Sequence, residues 1–201
     1  ATYAACEWIR ANHPQAPRYI LSGAIDTDKK HSAMNLIQTR GKRVIAEFVL
    51  QREVAQKVLR IDTETLYRYR QIAAVGALQA GSAYSGAHSA NGIAALFIAT
   101  GQDEANVAES HAGITYGQLL ENGDYYWSIT LPAVICATHG GGTGLPTQRE
   151  CLELLDCYGT GKADELAEIV AAVVLARDVS LTAAVLAGDW VSSHEALGRN
   201  R

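Results

Sequence analysis

The sequence predicts an α+β fold, with helices and strands in irregular order rather than in repeated βαβ units. Residues 89–100 are almost entirely small or aliphatic, which is typical of a helix buried in a core. Residues 113–120 and 125–131 have strand composition and are joined by an Asn-Gly turn, a strong hairpin pattern. Residues 163–186 form a long apolar run of helical character. We therefore expect a buried central helix packed against a sheet that includes the hairpin.

The composition excludes several classes of protein. The 201 residues are 48% hydrophobic, enough to bury a sizeable core, and the net charge of −4 is not that of a general nucleic-acid binder. The most apolar helical stretch, 169–186, carries Arg177 and Asp178 in its middle, which argues against a membrane span. Without signal-peptide features at the N-terminus or zinc-type cysteine spacing, we expect a cytoplasmic protein with no metal and no membrane or nucleic-acid partner.

Local patterns place the remaining elements in chain order. The first helix is expected to end before His13-Pro14, because the residue before a proline avoids the helical region. Asp62 has the character of an N-cap for the helix that follows it, and the polar tail from residue 192 is expected to be mobile. The predicted elements are helix 2–12, strands 18–21 and 43–50, helices 52–60, 63–70 and 89–100, strands 113–120 and 125–131, and helices 146–155 and 163–186.

Charged residues in two loops and the tail are the first candidates for chemistry. Asp28-Lys29-Lys30 either binds an anion or polarises a carbonyl, or is simply a solvated charged loop. Asp103 follows the buried helix and is either a helix cap or an acid that faces a cleft. His194 is either an exposed residue of the tail or a movable acid that closes over a substrate.

Two further segments are rich in glycine and other small residues. His88 and Asn91 lie in the segment 86–91, where a polar side chain against packed backbone needs a partner. Residues 140–144 are Gly-Gly-Gly-Thr-Gly before a helix, which either cradle a phosphate or form a tight turn. The segment lacks the Lys-Ser/Thr ending of a P-loop, and no nucleophile–base pair can be assigned from the sequence.

Taken together, these segments resemble the C-terminal half of the catalytic region of 3-hydroxy-3-methylglutaryl-CoA reductases. The two-lysine form of the loop resembles the class that includes the eukaryotic enzymes, whereas the expected soluble context is similar to a bacterial member. The matching motifs are, in order, Ser22-Gly23, Asp28-Lys29-Lys30, Gly86 to Asn91, Gly101-Gln102-Asp103, Gly140 to Thr143, Ser180-Leu181 and Ser193-His194.

The resemblance implies an oxidoreductase of the mevalonate pathway, which reduces the thioester of hydroxymethylglutaryl-CoA to mevalonate with two NADPH for isoprenoid synthesis. It implies that Lys29 stabilises the oxyanion or donates a proton, that Asp103 sets the protonation of Lys29, and that His194 protonates the departing CoA thiolate. The implied substrate-binding residues are Ser22, Asp28 and Lys30 for the hydroxymethylglutaryl portion, and His88, Asn91, Ser180 and Leu181 for the acyl or CoA pocket.

The resemblance also implies a domain organisation and an assembly. Residues 1–23 correspond to the end of a small cofactor-binding domain, and residues 24–201 to the C-terminal part of a large substrate-binding and dimerisation domain. The implied partners are identical subunits, in a dimer or tetramer, or a missing N-terminal half. We expect the loop 28–30 to face Asp103 of another subunit.

This sequence departs from the family pattern in ways that keep alternatives open. It contains neither the upstream Glu-Asn-x-Ile-Gly motif nor the Gly-Asp-Ala-Met-Gly motif, and Gln71 stands where many relatives carry a lysine. The leading interpretation is an incomplete oxidoreductase chain. The alternatives are a repurposed member that binds an acyl-CoA-like ligand without reducing it, and a structural subunit of a split enzyme.

Overall fold

A computed structural model describes residues 1–18 and 28–198 and confirms the α+β fold class. The predicted strand 18–21, the site residue Ser22 and the domain boundary after residue 23 fall largely or wholly outside the described residues. The elements are α1 (Thr2–Asn12), α2 (Met34–Ile37), β1 (Lys42–Leu50), α3 (Arg52–Val54), α4 (Thr63–Gln79), α5 (Ser89–Thr100), α6 (Val107–Ser110), β2 (Ile114–Leu119), β3 (Tyr125–Val134), α7 (Pro146–Leu154), α8 (Ala163–Leu186) and α9 (Asp189–Ala196).

Three short helical turns supplement these elements. A π-helical turn, Ala55–Leu59, continues α3, and 3₁₀ turns cover Glu104–Asn106 and Gly141–Gly144. The turn Glu104–Asn106 follows the end of α5, and the turn Gly141–Gly144 precedes α7, so these two turns flank the candidate site.

The three strands form an antiparallel sheet in the order β1-β3-β2. The central strand, β3, alternates fully buried Tyr125, Trp127, Ile129 and Leu131 with partly exposed residues, so one face of the sheet belongs to the core. The predicted hairpin between β2 and β3 is confirmed, and Gly123 in its turn has a φ of +85°, which favours glycine.

Helix α8 covers the inner face of the sheet, where it packs along β1 and β3. It is long and apolar enough to cross a membrane, with a mean hydropathy of 2.0 over its most apolar window. In this fold, however, Val170, Ala171 and Val174 are buried in the same core as Trp127. Asp178, in the same helix, is also fully buried.

Helix α5 has the predicted bounds and contributes to the same core. Ile93 and Phe97 are fully buried, and the main packing neighbours of the helix are α6, α7 and α8. One side remains open, because Ile98 is 59% exposed. The helix therefore belongs to the core of the sheet while packing chiefly on other helices.

Two parts of the chain contain more helix than the sequence predicts. Helix α4 begins after the predicted cap, where Asp62 accepts a hydrogen bond from Thr65 N at 2.6 Å, but it continues to Gln79 rather than ending at residue 70. The tail expected to be mobile contains α9, which begins after Gly188 in the left-handed conformation. In both places the helix includes residues whose side chains are mostly exposed. A pattern of apolar residues therefore does not indicate the helix there.

Candidate active site

Lys29 lies in a tight turn at residues 28–30, which we call the lysine turn. Its ammonium Nζ lies 2.6 Å from Asp103 Oδ2, and both side chains are about half exposed. Its backbone has a φ of +56°, in the left-handed region that L residues with a side chain rarely adopt. The turn therefore presents a cation at the protein surface directly beside the acid that follows α5.

Asp103 is held in place by the end of α5. Gly101 caps the helix with a φ of +69°, and a Cβ there would collide with the Gly142 carbonyl, so two glycine backbones meet at this point. Asp103 Oδ1 also accepts a hydrogen bond from Ala105 N at 3.1 Å and so caps the following turn. Both sequence-based interpretations of Asp103 apply, because it caps a helical turn and also faces an open cleft.

The two charges of the ion pair stabilise each other. The hydrogen bond to Asp103 is the main cause that raises the pKa of Lys29, and the same bond lowers the pKa of Asp103. Both groups are therefore charged at neutral pH. Within one chain the lysine turn packs against residues 103–109 and forms the pair there, and the expectation that it faces Asp103 of another subunit stays a prediction.

Two residues that the sequence analysis missed, Glu109 and Arg40, support the lysine turn from beneath. Glu109 is fully buried, and its Oε1 accepts a hydrogen bond from Lys29 N at 2.8 Å. Arg40 donates from Nη2 to Glu109 Oε1 at 2.6 Å and from Nε to Oε2 at 3.1 Å. These partners lie 69 residues apart in sequence, so no local pattern indicates the pair.

The other two residues of the lysine turn also have partners. Asp28 forms an ion pair with Arg40, and Lys30 Nζ donates to the Asp28 carbonyl at 3.3 Å. The carbonyl of Lys30 accepts from Asn35 Nδ2 at 2.9 Å. The side chains of Asp28 and Lys30 remain at the surface, where they can meet a ligand bound beside Lys29.

An open cleft of about 410 Å³ lies beside Asp103. One wall is the glycine-rich segment Gly140–Thr143, which forms a tight turn before α7. Asn106 also lines the cleft, and its buried Oδ1 accepts no hydrogen bond from any residue that the structure describes. The remaining lining residues are Gly101, Gln102, Asp103, Ile135, Cys136, Ala137 and His139.

The predicted acyl or CoA residues gather in a second region. His88, Ser180 and Leu181 line a common pocket of about 340 Å³ with Arg177 and Ala184. Asn91 lines an adjoining pocket of about 250 Å³ that His88 also borders. The fold thus brings together two distant parts of the chain. His88 and Asn91 lie at the start of α5, and Ser180 and Leu181 lie in the C-terminal half of α8.

His88 is half-buried, and its pKa is lower than that of an ordinary histidine. Burial is the main cause that lowers its pKa, and the nearby Arg177 guanidinium adds to this effect. The hydrogen-bond partner expected for this residue is not found within 1–18 and 28–198, where its buried Nδ1 is unpaired. The imidazole is therefore favoured in its neutral form, with one ring nitrogen left for a ligand.

Asp178 fixes the loop that carries His88, residues 84–88, which we call the histidine loop. Its carboxylate is fully buried and accepts hydrogen bonds from Tyr84 Oη at 3.0 Å and from Ala87 N at 2.9 Å. Gly86 is required there, because a Cβ would collide with Asp178 Oδ2 and the Tyr84 ring. The sequence analysis used Asp178 only as an argument against a membrane span and missed this contact.

His194 lies on α9 and lines neither the Asp103 cleft nor the His88 pocket in this structure. Its Nδ1 is 2.6 Å from the Trp190 carbonyl, and its ring centroid is 4.4 Å from that of Trp190. An ion pair between Arg60 and Asp189 ties the start of α9 to the rest of the fold. The structure thus places the predicted site residues in three groups, at the lysine turn, at the histidine loop and on α9.

Comparisons with known proteins show one family throughout. The family model described as "Hydroxymethylglutaryl-coenzyme A reductase" matches residues 1–199. The chain is 41% identical to the 3-hydroxy-3-methylglutaryl-coenzyme A reductase of Methanocaldococcus jannaschii, over 99% of this chain and 50% of that protein. It is 43% identical to the Pyrococcus horikoshii enzyme of the same name, over 95% and 48%, and 39% identical to reductase 2 of Dictyostelium discoideum, over 94% and 38%. The chain therefore spans about half the length of the archaeal relatives it matches.

Proposed function

The chain belongs to the hydroxymethylglutaryl-coenzyme A reductase family, and we propose that it forms part of an enzyme that reduces hydroxymethylglutaryl-CoA to mevalonate with two NADPH. The observation that carries this proposal is the contact between the Lys29 ammonium and Asp103 beside an open cleft. In the proposed organisation, residues 1–23 end a small cofactor-binding domain. Residues 24–201 supply the C-terminal part of the large domain.

Lys29 and Asp103 suit the reduction of a carbonyl. As hydride reaches the thioester carbon, its carbonyl oxygen becomes negative, and a fixed ammonium group stabilises that charge or transfers a proton to it. The Asp103 carboxylate keeps Lys29 protonated in the free enzyme, because it raises the pKa of the ammonium group. The same pair serves twice, first for the thioester and then for the aldehyde that follows.

Breakdown of the first product requires a different acid. The hemithioacetal loses its hydroxyl proton and expels CoA as a thiolate, which must be protonated to prevent the reverse reaction. We assign this proton transfer to His194. Helix α9 carries it after the left-handed Gly188 and has no fully buried residue, and the Arg60–Asp189 pair holds only its start, so we expect the helix to pivot there and bring His194 to the substrate.

The two groups of predicted binding residues divide the substrate between them. Asp28, Lys30 and Ser22 are assigned to the hydroxymethylglutaryl portion, because Asp28 and Lys30 flank Lys29 at the surface and Ser22 belongs to the same loop in sequence. His88, Asn91, Ser180 and Leu181 are assigned to the acyl or CoA portion, since they line the adjoining pockets between α5 and α8.

The cleft beside Asp103 fits the reactive end of a nicotinamide cofactor. It adjoins the proposed oxyanion site, one wall is glycine backbone, and buried Asn106 Oδ1 is available to an amide donor. NADPH would supply the two hydride ions there. Asn106 and the backbone of residues 140–143 would hold its nicotinamide end. The rest of the dinucleotide is assigned to parts of the enzyme beyond this chain, because the relatives are about twice as long.

We also propose a cytoplasmic homo-oligomer, a dimer or a tetramer, that contains this chain. The outer face of the sheet exposes Ile45, Val49, Ile114 and Tyr116, each between 49% and 60% exposed. An apolar surface of this kind on a sheet is typical of an interface.

The test measures two substrates on the complete enzyme that contains this chain. Lys29→Ala should lower the rates with both hydroxymethylglutaryl-CoA and mevaldehyde by about 10²–10³ or more, because both reductions lose their cation. His194→Gln should impair thioester reduction far more than mevaldehyde reduction, since only the thioester releases a thiolate. The matched control is Lys57→Ala, which removes an exposed lysine paired with Glu53 and should leave both rates unchanged.

Two outcomes would contradict the proposal. Equal losses for both substrates in His194→Gln would remove the acid role of that residue. A wild-type enzyme that binds hydroxymethylglutaryl-CoA but oxidises no NADPH would instead support the ligand-binding alternative.

A further inference from the structure

The backbone of Lys29 adopts a conformation that its neighbours must enforce. A φ of +56° places the side chain in the left-handed region, where the Cβ of an L residue crowds its own backbone. Such a conformation persists only where the surrounding structure fixes it. The lysine turn is also exposed, so its own side chains pack little against the core. The contact that fixes the left-handed conformation must therefore come from residues packed beneath the turn.

Glu109 supplies that contact. Its carboxylate, fully buried at the end of α6, accepts the Lys29 backbone N–H at 2.8 Å. Ser110, the next residue, accepts a hydrogen bond at Oγ from Ile135 N at 3.0 Å, so α6 is anchored just beyond the end of β3. The acceptor for the turn is thus attached to the sheet, while Lys29 Nζ points at Asp103 at the other end of the same segment.

Arg40 makes a buried carboxylate possible at this position. Its guanidinium contacts both oxygens of Glu109 and also pairs with Asp28. An ion pair with a buried carboxylate gains little net stability, because desolvation of the buried charge cancels most of the attraction. The Glu109 carboxylate also contacts the backbone of the lysine turn, and this contact gives the Arg40–Glu109 pair a role beyond stability.

We infer that Glu109 is a positioning residue, whose arginine-neutralised carboxylate fixes the backbone of the lysine turn so that the Lys29 ammonium is aimed at Asp103 and the cleft. This inference rests on the proposed function for its catalytic consequence, but not for the geometry itself. Loss of the contact releases residue 29 from its left-handed conformation. The ammonium then separates from Asp103 although neither of those two residues has been changed.

The geometry can be tested without turnover, by competitive acetylation of lysines with trace acetic anhydride in the complete enzyme, read by mass spectrometry. Only a deprotonated amine reacts. The charged groups facing Lys29 are Asp103, Asp28 and Arg40, and the hydrogen bond to Asp103 is the main one that raises its pKa. In Glu109→Gln one carboxylate oxygen becomes an NH2 donor facing the Arg40 guanidinium, so the side chain cannot keep its bonds to both Arg40 and Lys29 N. We expect Lys29 to react about threefold faster relative to exposed Lys57, because its pKa falls as the ammonium leaves Asp103.

Two further variants separate positioning from general damage. Asp178→Asn changes another fully buried acid, far from the lysine turn in sequence, and should leave the Lys29-to-Lys57 ratio unchanged. Where Glu109→Gln fails to fold, Arg40→Met/Glu109→Met replaces the pair with apolar side chains of similar length, which is often neutral for stability. The double variant removes the acceptor of Lys29 N–H and should raise the same ratio.

The kinetic readout completes the test. Glu109→Gln should lower kcat for hydroxymethylglutaryl-CoA by about 10- to 100-fold with KM changed less than about threefold, because a misplaced catalytic group chiefly affects the transition state. In a Lys29→Ala background the same substitution should cause little further loss. An unchanged labelling ratio in a folded variant, or additive losses with Lys29→Ala, would overturn the inference. An inactive wild-type enzyme would refute the proposed function while the labelling result still decides the geometry.

Discussion

The lysine turn and the histidine loop are each fixed by a fully buried acid, but the two acids are balanced in different ways. Glu109 accepts the Lys29 N–H and is neutralised by the Arg40 guanidinium. Asp178 accepts the Ala87 N–H and the Tyr84 hydroxyl, which are both neutral donors. Burial is the main cause that raises the pKa of Asp178, and the two hydrogen bonds offset only part of that effect.

The two loops also present different groups. The lysine turn places a cation at an exposed position beside Asp103, and the half-exposed Arg40 guanidinium contacts the buried carboxylate that supports the turn. The histidine loop presents an imidazole whose pKa is lowered by burial and by Arg177, and burial also raises the pKa of Asp178, which supports that loop. The two supports therefore differ in their donors: a guanidinium contacts Glu109, whereas the hydrogen-bond donors to Asp178 within the described residues are neutral.

The largest expected effect is on stability, in Asp178→Ala. The substitution leaves the Tyr84 hydroxyl and the Ala87 N–H buried without an acceptor, so the free energy of unfolding should fall by about 3 kcal/mol or more. Urea unfolding of the complete enzyme, followed by tryptophan fluorescence, measures it. Asp189→Ala is the control, because it removes an exposed pair with Arg60 and should cost about 0–1 kcal/mol. Equal costs for both would show that Asp178 does not support the histidine loop.

A smaller effect is expected where the loop approaches Asp178 most closely. In Gly86→Ala the new methyl group collides with Asp178 Oδ2 and the Tyr84 ring, and the strain should cost about 1–3 kcal/mol. Gly76→Ala is the matched control, since its Cβ points into open space within α4 and should stabilise the protein by about 0.5–1 kcal/mol. If Gly86→Ala also stabilises, the histidine loop is less tightly packed than the lysine turn.

The smallest effect is a pH dependence that distinguishes the two acids. Because the folded-state pKa of Asp178 is raised, its contribution to stability is fully present below its ordinary value of 3.8 and is lost as pH rises through the raised value. The stability of the wild type relative to Asp178→Asn should therefore decline with pH across that window, by about 1.4 kcal/mol per pH unit, and then level off. Urea unfolding at a series of pH values measures this difference. A difference that grows with pH would mean that Asp178 is stabilised as a carboxylate.

Elements whose pattern is local could be predicted from the sequence. Helices α5 and α8 have exactly the bounds expected from their apolar runs, and the β2–β3 hairpin follows from its Asn-Gly turn. The N-cap at Asp62 is likewise confirmed, because a cap depends on residues three positions apart. Within the candidate site, Lys29 and Asp103 are in contact, while the roles that the resemblance implied for them stay predictions.

The supports beneath the site could not be predicted, since they depend on pairs that are distant in sequence. Glu109 and Arg40 are 69 residues apart, and Asp178 lies 91 residues beyond Ala87. The expected contact between subunits stays a prediction, because sequence does not show which copy of Asp103 the lysine turn meets. Helix α9 was missed because its side chains are mostly exposed and give it no apolar face.

The position of α8 along the chain has a consequence for biosynthesis. The three strands within residues 1–18 and 28–198 all precede residue 163, whereas the helix that covers their inner face is translated after them. A nascent chain that ends before α8 therefore exposes the apolar side of the sheet, including Trp127, Ile129 and Leu131, which are fully buried in the finished fold. The inner face of the sheet is covered only after α8 has left the ribosome. A pause in translation between β3 and α8 therefore prolongs the stage at which the exposed apolar face makes the chain prone to aggregate and dependent on a chaperone.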